Sequence, residues 1–410
     1  MGVNLINDTS IYSSLDDSLA TLTDSEFVNQ VITWHCHQQK GYKFIPPLNS
    51  PLPLHDYNED SFFPTKLTPP SDYISIHNHK IFLVADGHAG HEAPLFFING
   101  LATKLLALLN SNNWNFSIKS HQSQLISLIT DIYQSLDDEY TLIKTLEYQE
   151  WCRQGSVGKK PMDDGCTMIV NIIQPGWVLN CNVGDSRTLI AKPSSYSKKW
   201  SPVFSSIDHN MMHPDKVFDI HNNGGLFLDG SGKIVLHVNV QHPNERGSRQ
   251  YTELCNSRIF RPLSAHISDV GCSHRRTLNL TATLGDLLFK IKPPVLSCKP
   301  DITFIELDPT EHILIMATDG LWDHLKAPNT QTQNTQVLDK TISMINELTD
   351  LSLDDKSMCS DSSLPSSFEE ALSVVCASLV DREGDTGNGL FADGLNRYDD
   401  ATVMIIHLDV

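Results

Sequence analysis

The sequence predicts an α+β protein in which antiparallel β-sheets are flanked by α-helices. Three observations predict it: short β-branched runs outnumber helical patterns, the runs at 166–173 and 177–183 are spaced as a hairpin, and apolar residues crowd 95–109 and recur at helical spacing over 125–136.

Taken in order, residues 1–50 are polar and weakly periodic, which predicts an N-terminal extension ahead of one domain over 51–410. IFLVA runs straight into Asp86-Gly87-His88, as a buried strand ending in a turn. LFFINGLATKLLALL (95–109) and the spacing of Leu125, Leu128, Ile129, Ile132 and Leu136 predict two helices packed on a sheet. CTMIVNII (166–173), WVLNCNV (177–183), TLIA (188–191), ITFIEL (302–307), HILIMAT (312–318) and ATVMIIHL (401–408) read as strands bounded by Gly, Pro or Asp. Ser367 and Glu370 form a capping box before Ala371, Leu372, Val375 and Leu379, so a helix precedes the last strand. Residues 237–277, rich in Arg, Asn and Ser, and 326–366, rich in Thr, Gln, Ser and Asp, are expected to be surface insertions.

Composition narrows the class. The 410 residues, 40% hydrophobic and 19% charged, suffice for a sizeable core. A formal net charge of −19 gives no attraction to a phosphate backbone, so no nucleic-acid partner is expected. The nine cysteines are scattered without a Cys-x-x-Cys pair, which argues against a disulfide framework or zinc ribbon and for a reducing compartment. His35-Cys36-His37 lacks a second ligand pair and reads as core or surface. No stretch approaches the ~20 apolar residues of a membrane span, so no membrane association is expected. The first Lys is Lys40 and the first Arg is Arg153, which fits neither a signal nor a transit peptide.

The chemistry concentrates where oily runs meet carboxylates. ILIMATDGLWD (313–323) repeats the design of IFLVADGH: a strand anchored in the core holds Asp319 still at its mouth, as it does Asp86. Asn58-Glu59-Asp60, Gly184-Asp185-Ser186-Arg187 and Tyr398-Asp399-Asp400 add further acids. Carboxylates gathered in a low-dielectric site repel unless a cation neutralises them, and their hard oxygens suit Mg²⁺ or Mn²⁺. Each Asp-Gly alone is no more than a turn signal.

NEDSFF, FLVADGHAGHEA, DDGCT, WVLNCNVGDSRTLI, IDHNMMHPDK with NNGG, LTATLGD, ILIMATDGLWD and DDATVMII follow, in order, the pattern of the metal-dependent type-2C Ser/Thr protein phosphatases. The resemblance covers roughly residues 50–410. DGHAG, YNED and Tyr-Asp-Asp-Ala-Thr look nearer the pyruvate dehydrogenase phosphatase branch. It implies two packed antiparallel sheets with helices outside, a four-layer αββα sandwich. It also implies hydrolysis of phosphoserine and phosphothreonine in proteins by a metal-bridged water, with two Mg²⁺ or Mn²⁺ ions and a third, weaker one.

By that resemblance Asp86 bridges the ions and the Gly87 carbonyl, Asp319 and Asp399 complete their protein ligands. Glu59 acts on metal-bound water with Asp60 in support, Asp185 and Asp323 serve the third ion, and His88 protonates the leaving oxygen. By spacing alone His88 is equally a ligand or a packed side chain. His91 reads as helix surface, Trp322 as core beside the site, Asp286 as structural, and Asp208-His209 and Gly224-Gly225 as turns opening the family's flap.

Two departures bear on substrate. His55 stands where most members carry a phosphate-binding Arg, and Ala282 where the flap-following motif carries another. Arg246, Arg249, Arg258, Arg261, Arg275 and Arg276 could restore positive charge or belong to a solvated loop. The expected partner is a phosphoprotein substrate and the expected state a monomer, cytoplasmic or nuclear rather than mitochondrial. A pseudophosphatase binding phosphoproteins or a regulatory partner without turnover is the competing reading; the retained acids weigh against it.

Overall fold

A computed structural model of the chain describes residues 31–41, 58–65, 68–197, 199–211, 214–235, 257–262, 276–327, 329–354, 367–381, 390 and 399–409. Two five-stranded antiparallel sheets dominate. One runs β1 (Val31–Gln39), β16 (Ala401–Asp409), β15 (His312–Ala317), β8 (Arg187–Pro193) and β9 (Trp200–Ser205). The other runs β14 (Asp301–Glu306), β7 (Trp177–Val183), β6 (Met168–Gln174), β3 (Lys80–Ala85) and β2 (Ser61–Phe63).

The apolar runs are continuous because both faces of each strand are covered. In β3, Phe82 and Val84 point between the sheets, while Ile81, Leu83 and Ala85 point outward under helices. In β15, Leu314 and Met316 enter the same central layer, and Ile313, Ile315 and Ala317 face the opposite helices. The predicted hairpin is present, with Met168 opposite Val183 and Gln174 opposite Trp177.

Helices α2 (Glu92–Ser111) and α3 (Lys119–Arg153) close one side through Phe97, Leu101, Leu105, Leu125, Ile129 and Tyr133. Helices α7 (Thr330–Asp354) and α8 (Phe368–Val380) close the other through Val337, Leu338, Leu372 and Val375. The Ser367 side chain accepts from the Glu370 amide at 3.2 Å and caps the helix at the expected position. The result is the four-layer αββα sandwich.

Smaller elements complete it. A short sheet of β10 (Leu226–Leu228), β11 (Arg258–Phe260) and β12 (Thr277–Leu278) shares a core with α4 (Pro214–Asn222) and α5 (Leu287–Lys290). Another joins β13 (Leu284–Gly285), β5 (Gly165–Cys166) and β4 (Gly87–His88). Single turns form α1 (Pro70–Tyr73) and α6 (Asp319–Trp322).

Three expectations are corrected. Residues 31–39 are an edge strand paired with β16 from Val31↔Asp409 to Gln39↔Ala401, so this part of the supposed extension belongs to the sandwich. The stretch 326–366 is largely helix α7, whose Asn334, Val337, Leu338, Thr341 and Ile345 form one buried stripe despite polar composition. Helix α2 is long and apolar enough to cross a membrane, but its apolar face is committed to the sheet beneath it. Of 237–277, most lies outside the described residues.

Candidate active site

The two sheets end together at one edge, and that edge collects the acids. Asp86 follows β3, Asp185 sits in the β7–β8 turn, Asp319 and Asp323 bracket α6, and Asp399 and Asp400 precede β16. Asp86 is clamped by its main chain: its amide donates to Thr167 Oγ1 at 3.2 Å and its carbonyl accepts from the Thr167 amide at 2.8 Å. The Thr167 and Ser186 hydroxyls hydrogen-bond at 2.7 Å, tying this strand end to the Asp185 turn.

Asp60 and Asp400 are the struts. Asp60 Oδ2 accepts from Thr402 Oγ1 at 2.7 Å and Thr318 Oγ1 at 3.1 Å, joining the residues beside Asp400 and Asp319. Asp400 accepts from the amides of Gly41 at 2.6 Å and Glu59 at 2.7 Å, which fixes the backbone at Glu59. The Asp399 amide donates to His324 Nε2 at 3.4 Å.

Gly320 lets two of these acid-bearing segments meet. A Cβ at this position would overlap the Asp400 carbonyl oxygen. Gly320→Ala should therefore destabilise the fold by about 1–3 kcal/mol and separate Asp319 from Asp399; a melting curve and an activity assay check both, and an unchanged melting temperature would contradict the contact.

The acids raise one another. Burial pushes Asp86, Asp185 and Asp319 well above the ordinary carboxylate range, and neighbours add to it: Asp319 acts on Asp86 and Asp185, and Asp323 on Asp319. Asp319 is the strongest neighbouring charge on Asp86, and two carboxylates that act this strongly on each other favour a proton or cation between them. Burial, opposed by its hydroxyl donors but reinforced by Asp400 and Asp399, takes Asp60 to about 8, and Asp60 Oδ1 is buried without a hydrogen bond. Crowding by protein atoms and the charge of Asp208, opposed by Arg187, take Asp323 to about 6, although its outer edge is open to solvent.

Arg187 braces the side of the cluster that holds Asp185 and Asp323. It grips Asp208 through Nε at 2.9 Å and Nη2 at 2.5 Å, donates from Nη1 to Gln333 and Asn334, and lies 4.5 Å over the Trp322 ring. Trp322 is core, as expected, and donates to the Ala317 carbonyl at 3.0 Å. His91 stands at the head of α2, partly buried rather than on open helix surface.

The structure thus gathers Asp60, Asp86, Asp185, Asp319, Asp323 and Asp399 into one cluster, with the Glu59 main chain anchored to Asp400. His55 lies outside the described residues. No trio of His, Cys, Asp or Glu among the described residues forms a ready-made metal cage. What fits a divalent cation is the donor set: hard oxygens, like-charged, buried together, with one oxygen of Asp60 unpartnered. Sequence reasoning missed Thr318, Thr402 and Arg187 as supports. Thr318, directly before Asp319, and Thr402, two residues after Asp400, were a readable signal.

A profile of the protein phosphatase 2C family matches residues 75–357, and the chain belongs to that family. Similar proteins include probable protein phosphatase 2C 79 of Arabidopsis thaliana, 22% identical over 242 residues, 59% of this chain and 54% of that one. Probable protein phosphatase 2C 2 of Paramecium tetraurelia is 24% identical over 257 residues, 61% of this chain and 66% of that one. The chain spans about half the length of the first of these relatives. Among solved structures, serine-threonine phosphatase 2C from Toxoplasma gondii is similar with a TM-score of 0.52 at 17% identity, covering 92% of this chain and 95% of that one, a likeness of fold.

Proposed function

We propose that this chain is a Mg²⁺- or Mn²⁺-dependent protein serine/threonine phosphatase. The observation that carries the reading is the cluster of five carboxylates, Asp60, Asp86, Asp185, Asp319 and Asp323, drawn from four separate segments and raised by burial and by neighbouring acids, a costly arrangement without a cation to balance it. Asp86, the Gly87 carbonyl, Asp319 and Asp399 would hold two ions with Glu59 and Asp60 in support, and Asp185 and Asp323 a third. Bound there, the ions supply a nucleophile from water at neutral pH and draw charge from the phosphoryl oxygens.

The chain's own residues do the rest. The strand ends fix the acids so that attack on phosphorus is in line, and no phosphoenzyme is required. His88, partly exposed in β4, protonates the departing Ser or Thr oxygen. The reading includes a phosphoprotein substrate and a monomer acting in the cytoplasm or nucleus.

The test is phosphate release from a phosphothreonine peptide. Release with Mn²⁺ or Mg²⁺ and none in EDTA is expected. Turnover that survives EDTA rejects the reading, and peptide binding with no turnover at any metal concentration would establish a pseudophosphatase instead. His88→Ala should slow the peptide by ~10²-fold or more while sparing an aryl phosphate, whose leaving group needs no proton; equal loss on both would remove the acid role.

A further inference from the structure

We infer that Asp286 is a positioning residue for His88, holding the ring so that its Nδ1 edge faces the leaving oxygen, with Arg276 and Thr283 bracing the carboxylate. The inference rests on the reading of His88 as the acid. Asp286 is fully buried and lies 198 residues from His88 in the chain, yet His88 Nε2 donates to it at 2.8 Å to Oδ2 and 3.0 Å to Oδ1.

Three features show that the carboxylate is placed for the ring. The first is its saturation: Arg276 Nη2 reaches Oδ1 at 2.8 Å and Thr283 Oγ1 donates to Oδ2 at 2.6 Å. Burial alone would raise Asp286, but the His88 and Arg276 charges override it and hold the group at about 2. An ionised carboxylate only accepts, so Nε2 must carry the hydrogen. The second is the small sheet: His88 and Gly285 are both register partners of Gly165, which brings β4 and β13 to either side of β5. The third is Gly165 itself, because a Cβ there would overlap the Asp286 carboxylate. The glycine of DDGCT is the floor on which Asp286 lies.

With Nε2–H tied to Asp286, Nδ1 is the ring's other polar atom and makes no hydrogen bond among the described residues. In the step, Nδ1–H passes its proton to the leaving oxygen as the P–O bond breaks, and the ring is left neutral with its Nε2 hydrogen still on Asp286. A carboxylate that fixes tautomer and orientation in this way need not touch substrate. Arg276, one of the arginines read either as positive charge for substrate or as part of a solvated loop, is engaged by Asp286 and, at 3.5 Å, Asp163.

The experiment compares Asp286→Asn, Gly165→Ala and His88→Ala in the full chain with saturating Mn²⁺, on a phosphothreonine peptide and an aryl phosphate. Asp286→Asn should lower kcat on the peptide by about 10- to 100-fold with little change in KM, and on the aryl phosphate by less than about threefold. Added to His88→Ala, it should cost nothing further. Equal losses on both substrates, or additivity with His88→Ala, would overturn the inference. If His88→Ala itself is unselective, the acid reading falls first; if His88→Ala is selective and Asp286→Asn is not, only the role of Asp286 falls. Should the Asn variant fail to fold, the wild-type ¹⁵N spectrum of the His88 ring decides, since the Nε2–H tautomer is required and an Nδ1–H resting tautomer contradicts it.

Discussion

Asp319→Asn should lower metal-dependent phosphate release by on the order of 10³-fold, because on the proposed reading it removes one full charge from the donors of the divalent-cation site. Asn keeps the shape of the side chain, so β15 and α6 should stay in place. Burial, then Asp323 and Asp399, push the proton affinity of Asp319 up, outweighing the one contact, with Asp86, that favours its anion. Removing that charge should also raise the melting temperature in EDTA, where like charges are uncompensated, and reduce the rise on adding Mn²⁺. Loss of activity with gain of metal-free stability separates a ligand from a scaffold residue. A variant that keeps a tenth or more of wild-type release would show that Asp319 is not at the reacting centre.

In EDTA the protein should lose stability as the pH rises from about 4 to about 8. Asp60 carries a folded pKa of about 8 against the ordinary 3.8 of an aspartate, so its favourable contribution is complete below the unfolded value and is lost as pH climbs through the folded one. Over that window the slope is about 1.4 kcal/mol per pH unit for one fully shifted group, so the total is several kcal/mol. Asp323, at about 6, adds a loss of the same sign over the lower half of the window. Excess Mg²⁺ should flatten the curve, since a cation stabilises the ionised cluster. Melting temperatures at pH 5, 6, 7 and 8 with EDTA or Mg²⁺ measure it; curves that coincide, or a metal-free curve that rises, would contradict a mutually raised cluster.

Much of this architecture was legible because both faces of the central strands are buried. IFLVA and ILIMA read as strands without doubtful alternation, and the acids after them were found as the residues where burial stops. Strand Val31–Gln39 was not legible: it is an edge strand whose inward residues, Ile32, Trp34 and Cys36, alternate with polar ones, so VITWHCHQQ carries no continuous run. Helix Thr330–Asp354 was hidden for a related reason, since it buries one narrow stripe and leaves Thr, Gln and Asp around it.

At the site, sequence spacing delivered the carboxylates that lie at strand ends, but not the groups that act across elements. Nothing in LTATLGD tells that Asp286 meets a histidine 198 residues earlier. That pairing depends on β13 and β4 lying on either side of β5, which only the fold decides. The same holds for Arg187, whose grip on Asp208 and α7 joins three segments no motif links.

The most direct measurement is a calorimetric titration of the metal-free protein with Mn²⁺, run in parallel on Asp86→Asn. Two or more ions per wild-type chain, with binding sharply weakened in the variant, are predicted. No saturable binding, or binding that Asp86→Asn leaves untouched, would contradict the claim that these acids converge on divalent cations.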